Sequence, residues 1–253
     1  MNVSIQNLNV SYQQTKVLHD INFDAKPGEI ISIIGPNGCG KSTLLKAMCR
    51  LIPFDSGQVS INEKSIKQYK QKELATVLAH LPQSAYTPEG LDVFHLVSYG
   101  RHPHQGLFNQ FTNQDKKIVE EALNQTGLLE FKHKLVSSLS GGQRQRAWIA
   151  MILAQQTQII TLDEPTSALD IGHQHEVMQM IQTLADHGKT VIMVVHDLNC
   201  AVRFSHKILA LKQGKQIGFG PTNKIMNQKL ISDLFDVNCD FVQHNHAPII
   251  VAS

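Results

Sequence analysis

A glycine-rich segment near the N-terminus restricts the fold of this 253-residue chain more than any other feature of its sequence. It fits the pattern GxxxxGK[ST], and its residues are Gly35, Pro36, Asn37, Gly38, Cys39, Gly40, Lys41 and Ser42. The apolar run EIISII precedes it, and apolar residues at helical spacing follow it over residues 41–51. In such a strand, loop and helix, backbone N–H groups surround phosphate oxygens at the helix N-terminus.

The pattern therefore predicts a nucleotide site rather than an ordinary glycine-rich turn. We expect Lys41 to neutralise the β and γ phosphates and Ser42 to bind Mg²⁺. The neighbouring Thr43 belongs to the same predicted nucleotide-binding set.

A second apolar segment ends in two acidic residues. Residues 158–162 read QIITL and are followed by Asp163 and Glu164. A P-loop enzyme needs one acid to hold Mg²⁺ through water and another to activate the attacking water. We assign Asp163 to the metal and Glu164 to the role of general base. Alone, this pattern fits a solvated strand end equally well, and the glycine-rich motif favours the catalytic interpretation.

The rest of the chain predicts an α/β protein with a helical insertion. Apolar, β-branched runs at residues 77–81, 159–162 and 191–195 alternate with helical patterns, which is typical of a parallel sheet covered on both faces. Short strands at 3–10 and 17–23 predict an antiparallel sheet laid against this core. Between residues 84 and 157 the strand signals vanish, and segments 115–129 and 141–154 have helical periodicity.

After residue 196 the chain returns to short strands, at 207–211 and 215–219, with a helix near 228–235 and an apolar tail. We predict a single domain over residues 1–253. Its α/β core and β subdomain occupy residues 1–83 and 158–253, and its helical subdomain occupies residues 84–157.

Composition and sequence pattern argue against several classes of protein. A formal net charge of +2 gives no basic surface of the kind that binds nucleic acid. The four cysteines form no CxxC pair, which suits a reducing compartment. The N-terminus lacks the pattern of a signal peptide, and no apolar run reaches the roughly 18 residues that span a bilayer. We expect a cytoplasmic protein, and if it serves a membrane, another chain must supply the pore.

The string LSGGQ connects these features. Its residues Ser140, Gly141, Gly142 and Gln143 precede a helical run, with Ser140 placed as an N-cap and backbone N–H groups open to an anion. The sequence thereby resembles the ABC (ATP-binding cassette) ATPases, whose LSGGQ signature lies between the two nucleotide motifs in a helical subdomain. The resemblance implies a P-loop NTPase (RecA-like) core that uses ATP and Mg²⁺.

Further positions of the family pattern occur in the same order. The resemblance implies that Tyr12 stacks on adenine, that Gln83 begins the Q-loop and contacts the metal, and that His196 contacts the γ-phosphate. Ser167, Ala168, Leu169 and Asp170 match the D-loop. The resemblance also implies that the LSGGQ segment of a second copy covers the ATP held by the first. Two identical chains would then form a dimer closed by ATP.

Residues 87–104 resemble a subfamily of importer motors. The string TPEGLDVFHLVSYGRHPH is similar to ATPase subunits that import iron-siderophores, haem, cobalamin and related metal chelates, although Asp92 stands where the family often has Thr or Ser. Overall similarity adds molybdate or tungstate as a candidate cargo. This resemblance implies polytopic permease partners, a periplasmic or surface substrate-binding protein, and a position at the cytoplasmic face of the plasma membrane.

Other functions remain to be weighed against an importer motor. LSGGQ excludes a P-loop nucleotide kinase. A DNA-repair ATPase would need a long coiled-coil insertion, and a translation factor would need two cassettes. Neither feature is expected from this sequence. A soluble ATPase of the iron–sulfur assembly type stays open as the alternative.

The segment from residue 83 to about 108 is the expected docking face for a permease. Its apolar residues Leu91, Val93, Phe94 and Leu96 could pack the core of the insertion or line a groove. Tyr86, Arg101 and His102 are expected to be exposed, so that charge reversal at Arg101 would leave the isolated subunit folded.

Two further expectations concern single side chains. Cys39 could have a depressed pKa beside Lys41 or could simply fill a tight slot. The six histidines that suggest a metal site are better explained as solvated residues, because ligand-spaced carboxylates and cysteines are missing nearby. These are His102, His104, His173, His175, His244 and His246.

Overall fold

The computed structural model describes residues 1–83, 89–106, 110–167, 169–244 and 247–252. Within these ranges the β-strands are β1 (Val3–Tyr12), β2 (Thr15–Ala25), β3 (Ile30–Ile34), β4 (Ser56–Ile61), β5 (Lys64–Ser65), β6 (Leu78–Leu81), β7 (Ile159–Asp163), β8 (Thr190–Val194), β9 (Lys207–Lys212), β10 (Lys215–Pro221), β11 (Cys239–His244) and β12 (Ala247–Ala252). The α-helices are α1 (Lys41–Met48), α2 (Gln71–Val77), α3 (Val93–Ser98), α4 (Asn113–Gln125), α5 (Gly141–Ala154), α6 (Ile171–Asp186), α7 (Leu198–Phe204), α8 (Thr222–Ile225) and α9 (Gln228–Phe235).

Ten strands form one sheet in the order β5-β4-β1-β2-β10-β9-β3-β8-β7-β6. The predicted parallel core is present: β8 lies between β3 and β7, and β6 pairs with β7, all in parallel register. The N-terminal strands pair antiparallel, as expected. They do not form a separate sheet, however, because β10 connects them to the core. Strand β10 pairs antiparallel with β9, and its Lys215 pairs with His19 of β2. The antiparallel strands therefore extend the core sheet.

Strand β3 is buried over its full length, which fixes the point from which the glycine-rich loop leaves the sheet. Successive side chains of a strand point to opposite faces. Accordingly, Ile31 and Ile33 pack in the cluster that contains α1, whereas Ile30 and Ile34 pack in the cluster that contains α6. Full burial of each isoleucine contributes about 1.5–3 kcal/mol. This strand is thus held from both faces.

The described residues between β6 and β7 form helices and turns, with one isolated bridge between Asp92 and Leu135. Helices α3, α4 and α5 share a third apolar cluster, which is joined to the cluster on the α6 face of the sheet by Trp148, Met151 and Leu153 of α5. Helix α4 begins at a capping box of Thr112 and Asp115. Helix α5 begins after the N-cap residue Ser140, as the sequence predicts. The expected α/β class with a helical insertion is confirmed.

The C-terminal segment differs from the expected apolar tail. Strands β11 and β12 form a two-stranded antiparallel sheet. The side chain of Asn199 on α7 attaches it to the core, because its amide oxygen accepts from the Ile250 N–H at 2.7 Å and its Nδ2 donates to the Ile250 carbonyl at 3.2 Å. No helix within the described part of the chain is long and apolar enough to cross a membrane.

Candidate nucleotide-binding site

The glycine-rich loop runs from the end of β3 to the first residue of α1. The Nζ of Lys41 is buried inside the loop and donates to the carbonyls of Gly35 and Pro36 at 2.8 and 2.9 Å. Gly35 has a φ of 148°, and a Cβ there would lie 2.0 Å from the Leu211 carbonyl oxygen on β9. Gly40, with a φ of 104°, caps α1. The loop therefore needs glycine where it passes the sheet and where it enters the helix.

Two carboxylates at the end of β7 face this loop. Asp163 is the last residue of β7, and its Oδ1 accepts a hydrogen bond from Ser42 Oγ at 3.1 Å. Burial raises the pKa of Asp163, and the Ser42 hydrogen bond opposes this shift. Burial disfavours the ionised form of this carboxylate, and a nearby cation would stabilise that form.

The side chain of Glu164 contacts residues that follow the two strands on either side of β7. The backbone of Glu164 is left-handed, with a φ of 54°. Its Oε2 accepts from Gln83 Nε2 at 2.8 Å, and its Oε1 lies 2.5 Å from His196 Nε2. Gln83 follows β6 and His196 follows β8, so the parallel register of β6, β7 and β8 brings the three side chains together.

One cavity of about 400 Å³ is lined by part of the predicted nucleotide-binding loop together with the three predicted catalytic residues. Its lining consists of Val17, Asn37, Gly38, Gly40, Lys41, Ser42, Thr43, Gln83, Glu164 and His196. Val17, on β2, was missed by the sequence analysis, which placed it in a strand without a functional signal. Tyr12 is not among the described lining residues. It ends β1, pairs with Thr15 and is 44% exposed.

The LSGGQ residues lie outside this cavity, at the start of α5. Ser140 Oγ accepts from the Gln143 N–H at 3.2 Å, and the Gln143 side chain accepts from the Ser140 N–H at 3.1 Å, which makes a capping box. Gly141 lines a separate cavity of about 160 Å³ together with Gln83. The described residues of the motif therefore do not line the cavity that the glycine-rich loop forms in their own chain.

Asp170 is the N-cap of α6. Its carboxylate accepts from the backbone N–H of His173 at 2.9 Å and from the His173 ring Nδ1 at 2.8 Å. These hydrogen bonds hold the pKa of Asp170 below its ordinary value. Of the other predicted D-loop residues, Ser167 donates its hydroxyl to the Glu164 carbonyl at 3.0 Å, and Ala168 lies outside the described residues.

Of the two alternatives for Cys39, the structure favours a side chain that fills a tight slot over a reactive thiol. The side chain is 4% exposed, and burial raises the pKa of the thiol. Lys41 and backbone N–H groups act in the opposite direction, but they do not reverse the shift. Cys39 therefore fills a slot in the loop, which was the alternative explanation.

The expectation of an exposed Arg101 is wrong. Arg101 is 5% exposed, and its Nε donates to Asp115 Oδ1 at 2.8 Å. A second guanidinium nitrogen donates to the Ala154 carbonyl at 2.7 Å and to Gln156 Oε1 at 3.0 Å. Charge reversal there would place two carboxylates together in the interior, so it cannot serve as a test of docking.

The remaining residues of the expected docking face divide between core and surface. Val93 and Leu96 are buried in the helical cluster, and Leu91 and Phe94 pack against it partly buried. His102 is exposed, as expected, whereas Tyr86 lies outside the described residues.

The six histidines have different environments. His173 binds Asp170, His175 lies 6.0 Å from Phe204 between ring centroids, and His104 Nε2 is 2.8 Å from the Gln155 carbonyl. His246 and the side chain of His244 lie outside the described residues. Where side chains are described, no three His, Cys, Asp or Glu residues are grouped as a metal site.

Comparison with known proteins agrees with this geometry. The family model described as ABC transporter matches residues 18–167, which is more than half of the chain. The iron(3+)-hydroxamate import ATP-binding protein FhuC of Bacillus subtilis is 43% identical over 241 residues, covering 95% of this chain and 90% of that protein. The ferric enterobactin transport ATP-binding protein FepC of Escherichia coli is 39% identical over 249 residues, covering 97% and 92%.

Solved structures resemble the fold over nearly its whole length. A metal-chelate type ABC transporter in an inward-facing conformation matches with a TM-score of 0.87 and 30% identity, covering 99% of this chain and 96% of that one. A dimeric bacterial ABC transporter cassette matches with a TM-score of 0.77 and 30% identity, covering 87% and 98%. The chain therefore belongs to the ABC transporter family, as one of its ATP-binding subunits.

Proposed function

We propose that this chain hydrolyses ATP to drive a bacterial importer of a metal chelate, and that the chelate is a ferric siderophore. One observation carries the enzymatic part: Lys41, Ser42, Gln83, Glu164 and His196 line a single cavity. The cargo class rests on relatives named for hydroxamate and enterobactin import, which favour siderophores over haem, cobalamin, molybdate or tungstate. The same relatives argue against a soluble ATPase of iron–sulfur assembly.

The loop from Gly35 to Ser42 would hold the phosphates of ATP, with Lys41 exchanging its loop carbonyls for phosphate oxygens. Thr43 lines the same cavity and would bind beside Ser42. Tyr12 would stack on adenine from the end of β1, with Val17 beneath the nucleotide.

The residues also fit Mg²⁺. Ser42 Oγ and Asp163 Oδ1 are hard oxygen donors 3.1 Å apart, and Gln83 supplies an amide oxygen nearby. The raised pKa of Asp163 is the mark of a carboxylate that a cation would stabilise. The ion would neutralise phosphate charge as it develops during transfer.

Glu164 would act as the general base. Its carboxylate already contacts Gln83 and His196, and the two contacts fix its direction toward the cavity. His196 would contact the γ-phosphate from the end of β8. Hydrolysis in this arrangement requires positioning of the attacking water and a base within hydrogen-bond reach of it.

The second half of each site would come from another copy of this chain. Ser140, Gly141, Gly142 and Gln143 cap a helix whose free N–H groups suit an anion, yet they do not line the phosphate cavity of their own chain. Together with Asp170, they would cover the nucleotide bound by the partner. Closure by ATP and release after hydrolysis would then move the two copies.

Permease subunits would convert this movement into transport at the cytoplasmic face of the plasma membrane, with a periplasmic or surface protein delivering the chelate. The exposed part of residues 83–108, including His102, would contact the permease. Co-purification of this chain with a polytopic membrane protein, followed by uptake of a ferric siderophore into proteoliposomes, tests this part of the proposal.

Glu164→Gln tests the enzymatic part. The change keeps the shape of the side chain and leaves Lys41, Ser42 and Asp163 in place, so ATP binding should persist. Turnover should fall by at least about 10²-fold, as on loss of a positioned general base. The trapped ATP should hold two copies together in gel filtration with ATP and Mg²⁺.

Glu63→Gln is the matched control, because Glu63 is an exposed glutamate that shares the left-handed backbone of Glu164, with a φ of 69°. It should retain wild-type turnover. Wild-type activity of Glu164→Gln, or a monomer under conditions in which ATP is bound, would contradict the assignment.

A further inference from the structure

The signature helix and the D-loop helix touch at their first turns. Gly142 is the second residue of α5, and His173 is the third residue of α6. A Cβ at position 142 would lie 2.7 Å from Cδ2 and 2.9 Å from Cγ of the His173 ring. Both distances are shorter than any ordinary van der Waals contact, so the ring of His173 lies directly against the backbone of Gly142.

The other side of the same ring is tied to Asp170. Nδ1 of His173 lies 2.8 Å from Asp170 Oδ2, and the backbone N–H of His173 donates to Oδ1 at 2.9 Å. Because Asp170 is ionised at neutral pH, its carboxylate accepts and Nδ1 carries the proton. One imidazole therefore connects the N-cap of α6 to the first turn of α5.

A second contact joins the same two helices one turn further on. Arg146 lies four residues after Gly142 on α5, and Glu176 lies three residues after His173 on α6. A guanidinium nitrogen of Arg146 is 3.7 Å from Glu176 Oε2. The spacing i, i+4 against i, i+3 places both contacts on facing sides of the two helices. His173 is thus the contact nearest the two segments that would face the partner's nucleotide.

We propose that His173 is a positioning residue that sets the distance between the LSGGQ segment and Asp170. This inference rests on the proposed function, in which both segments act on the nucleotide of the opposite copy. A fixed spacing lets the two segments arrive at that nucleotide together. Its loss would reduce turnover in the closed dimer while leaving nucleotide binding to the loop of residues 35–42 intact.

Two substitutions separate the hydrogen bond from the volume of the ring. Asn and Leu have the same branched shape, and each keeps atoms at the Cγ and Cδ2 positions that face Gly142. Only Asn places an N–H donor at the position of Nδ1. His173→Leu should therefore lose the tie to Asp170, and His173→Asn should retain it.

The measurements are the kcat for ATP, the Kd of a fluorescent ADP analogue and the melting temperature of the full chain. His173→Leu should lower kcat between about tenfold and a hundredfold, as for a displacement near 1 Å of a group needed in the reaction. Its ADP affinity should stay within about twofold of wild type. His173→Asn should recover most of the lost kcat. His175→Leu, two residues along α6 and facing Phe204, is the control and should match wild type.

Three results would overturn the inference. The first is wild-type kcat in His173→Leu. The second is an equal loss of kcat in the Asn and Leu variants, which would remove the tie to Asp170 as the cause. The third is a parallel loss of ADP affinity and melting temperature, which would mean that His173 only stabilises the fold. Absence of ATPase activity and of an ATP-driven dimer in the wild-type chain would instead refute the proposed function itself.

Discussion

Removal of the Arg101 guanidinium should destabilise the helical insertion strongly. Arg101 lies in a 3₁₀ turn after α3 and joins the start of α4, through Asp115, to the last residue of α5, through the Ala154 carbonyl. Arg101→Ala would leave Asp115, 7% exposed, without its counter-charge and would leave the last carbonyl of α5 without a donor. The perturbation therefore creates a buried unpaired charge rather than a missing surface contact.

The expected magnitude follows from this burial. Removal of one partner from a buried ion pair costs about 3–5 kcal/mol, because the other charge remains desolvated. For a domain of this size each kcal/mol lowers the melting temperature by about 2–4 °C. Arg101→Ala should therefore lower the melting temperature by about 6–20 °C. Arg101→Glu should lower it further, since it adds a second carboxylate beside Asp115.

The assay is thermal unfolding of the isolated subunit, followed by circular dichroism at pH 7. Lys117→Ala is the control, because Lys117 is an exposed cation on α4. Substitutions of exposed residues of this kind change stability by less than about 0.5 kcal/mol. A melting temperature of Arg101→Ala within about 2 °C of wild type would refute the reasoning, because it would mean that Asp115 finds another partner or water.

Two further predictions concern titratable groups. Although burial acts to raise the pKa of Asp115, hydrogen bonds from Arg101 and Thr112 lower it from 3.8 to about 2. The carboxylate should thus add about 2 kcal/mol of stability above pH 4, and this is lost between pH 4 and 2. The urea midpoints of wild type and Asp115→Asn should therefore converge on acidification, and a constant gap would contradict this. Burial raises the pKa of the Cys39 thiol, so iodoacetamide at neutral pH should leave ATPase activity intact. Mass spectrometry should show position 39 unmodified. Rapid inactivation that ATP prevents would show instead that the thiol is reactive.

The predictable parts of this molecule are those that local sequence determines. The unit of β3, loop and α1 depends on an apolar strand, glycines at set positions and a helical pattern, all within one short segment. The start of α5 after Ser140 was predictable because N-capping acts over three residues. The convergence of Gln83, Glu164 and His196 followed only from the family resemblance.

The errors concern contacts between distant segments. Arg101 resembles an exposed arginine in sequence, because nothing nearby shows that Asp115 and Ala154 converge on it. The β11–β12 sheet was missed because its attachment depends on Asn199, far earlier in the chain. The pKa of Cys39 depended on whether burial or the charge of Lys41 is the larger effect, and only the packed loop decides that.

The order of strands in the sheet has a consequence for synthesis on the ribosome. Strand β3 pairs with β8 on one side and β9 on the other, and both are translated long after it. Until Thr190–Val194 and Lys207–Lys212 emerge, the strand that leads into the glycine-rich loop has two open edges. Unpaired apolar strands of this kind are the usual starting points of aggregation. A nascent chain stalled before β8 therefore exposes its most apolar strand, and chaperones that bind extended apolar segments would act on it during that interval.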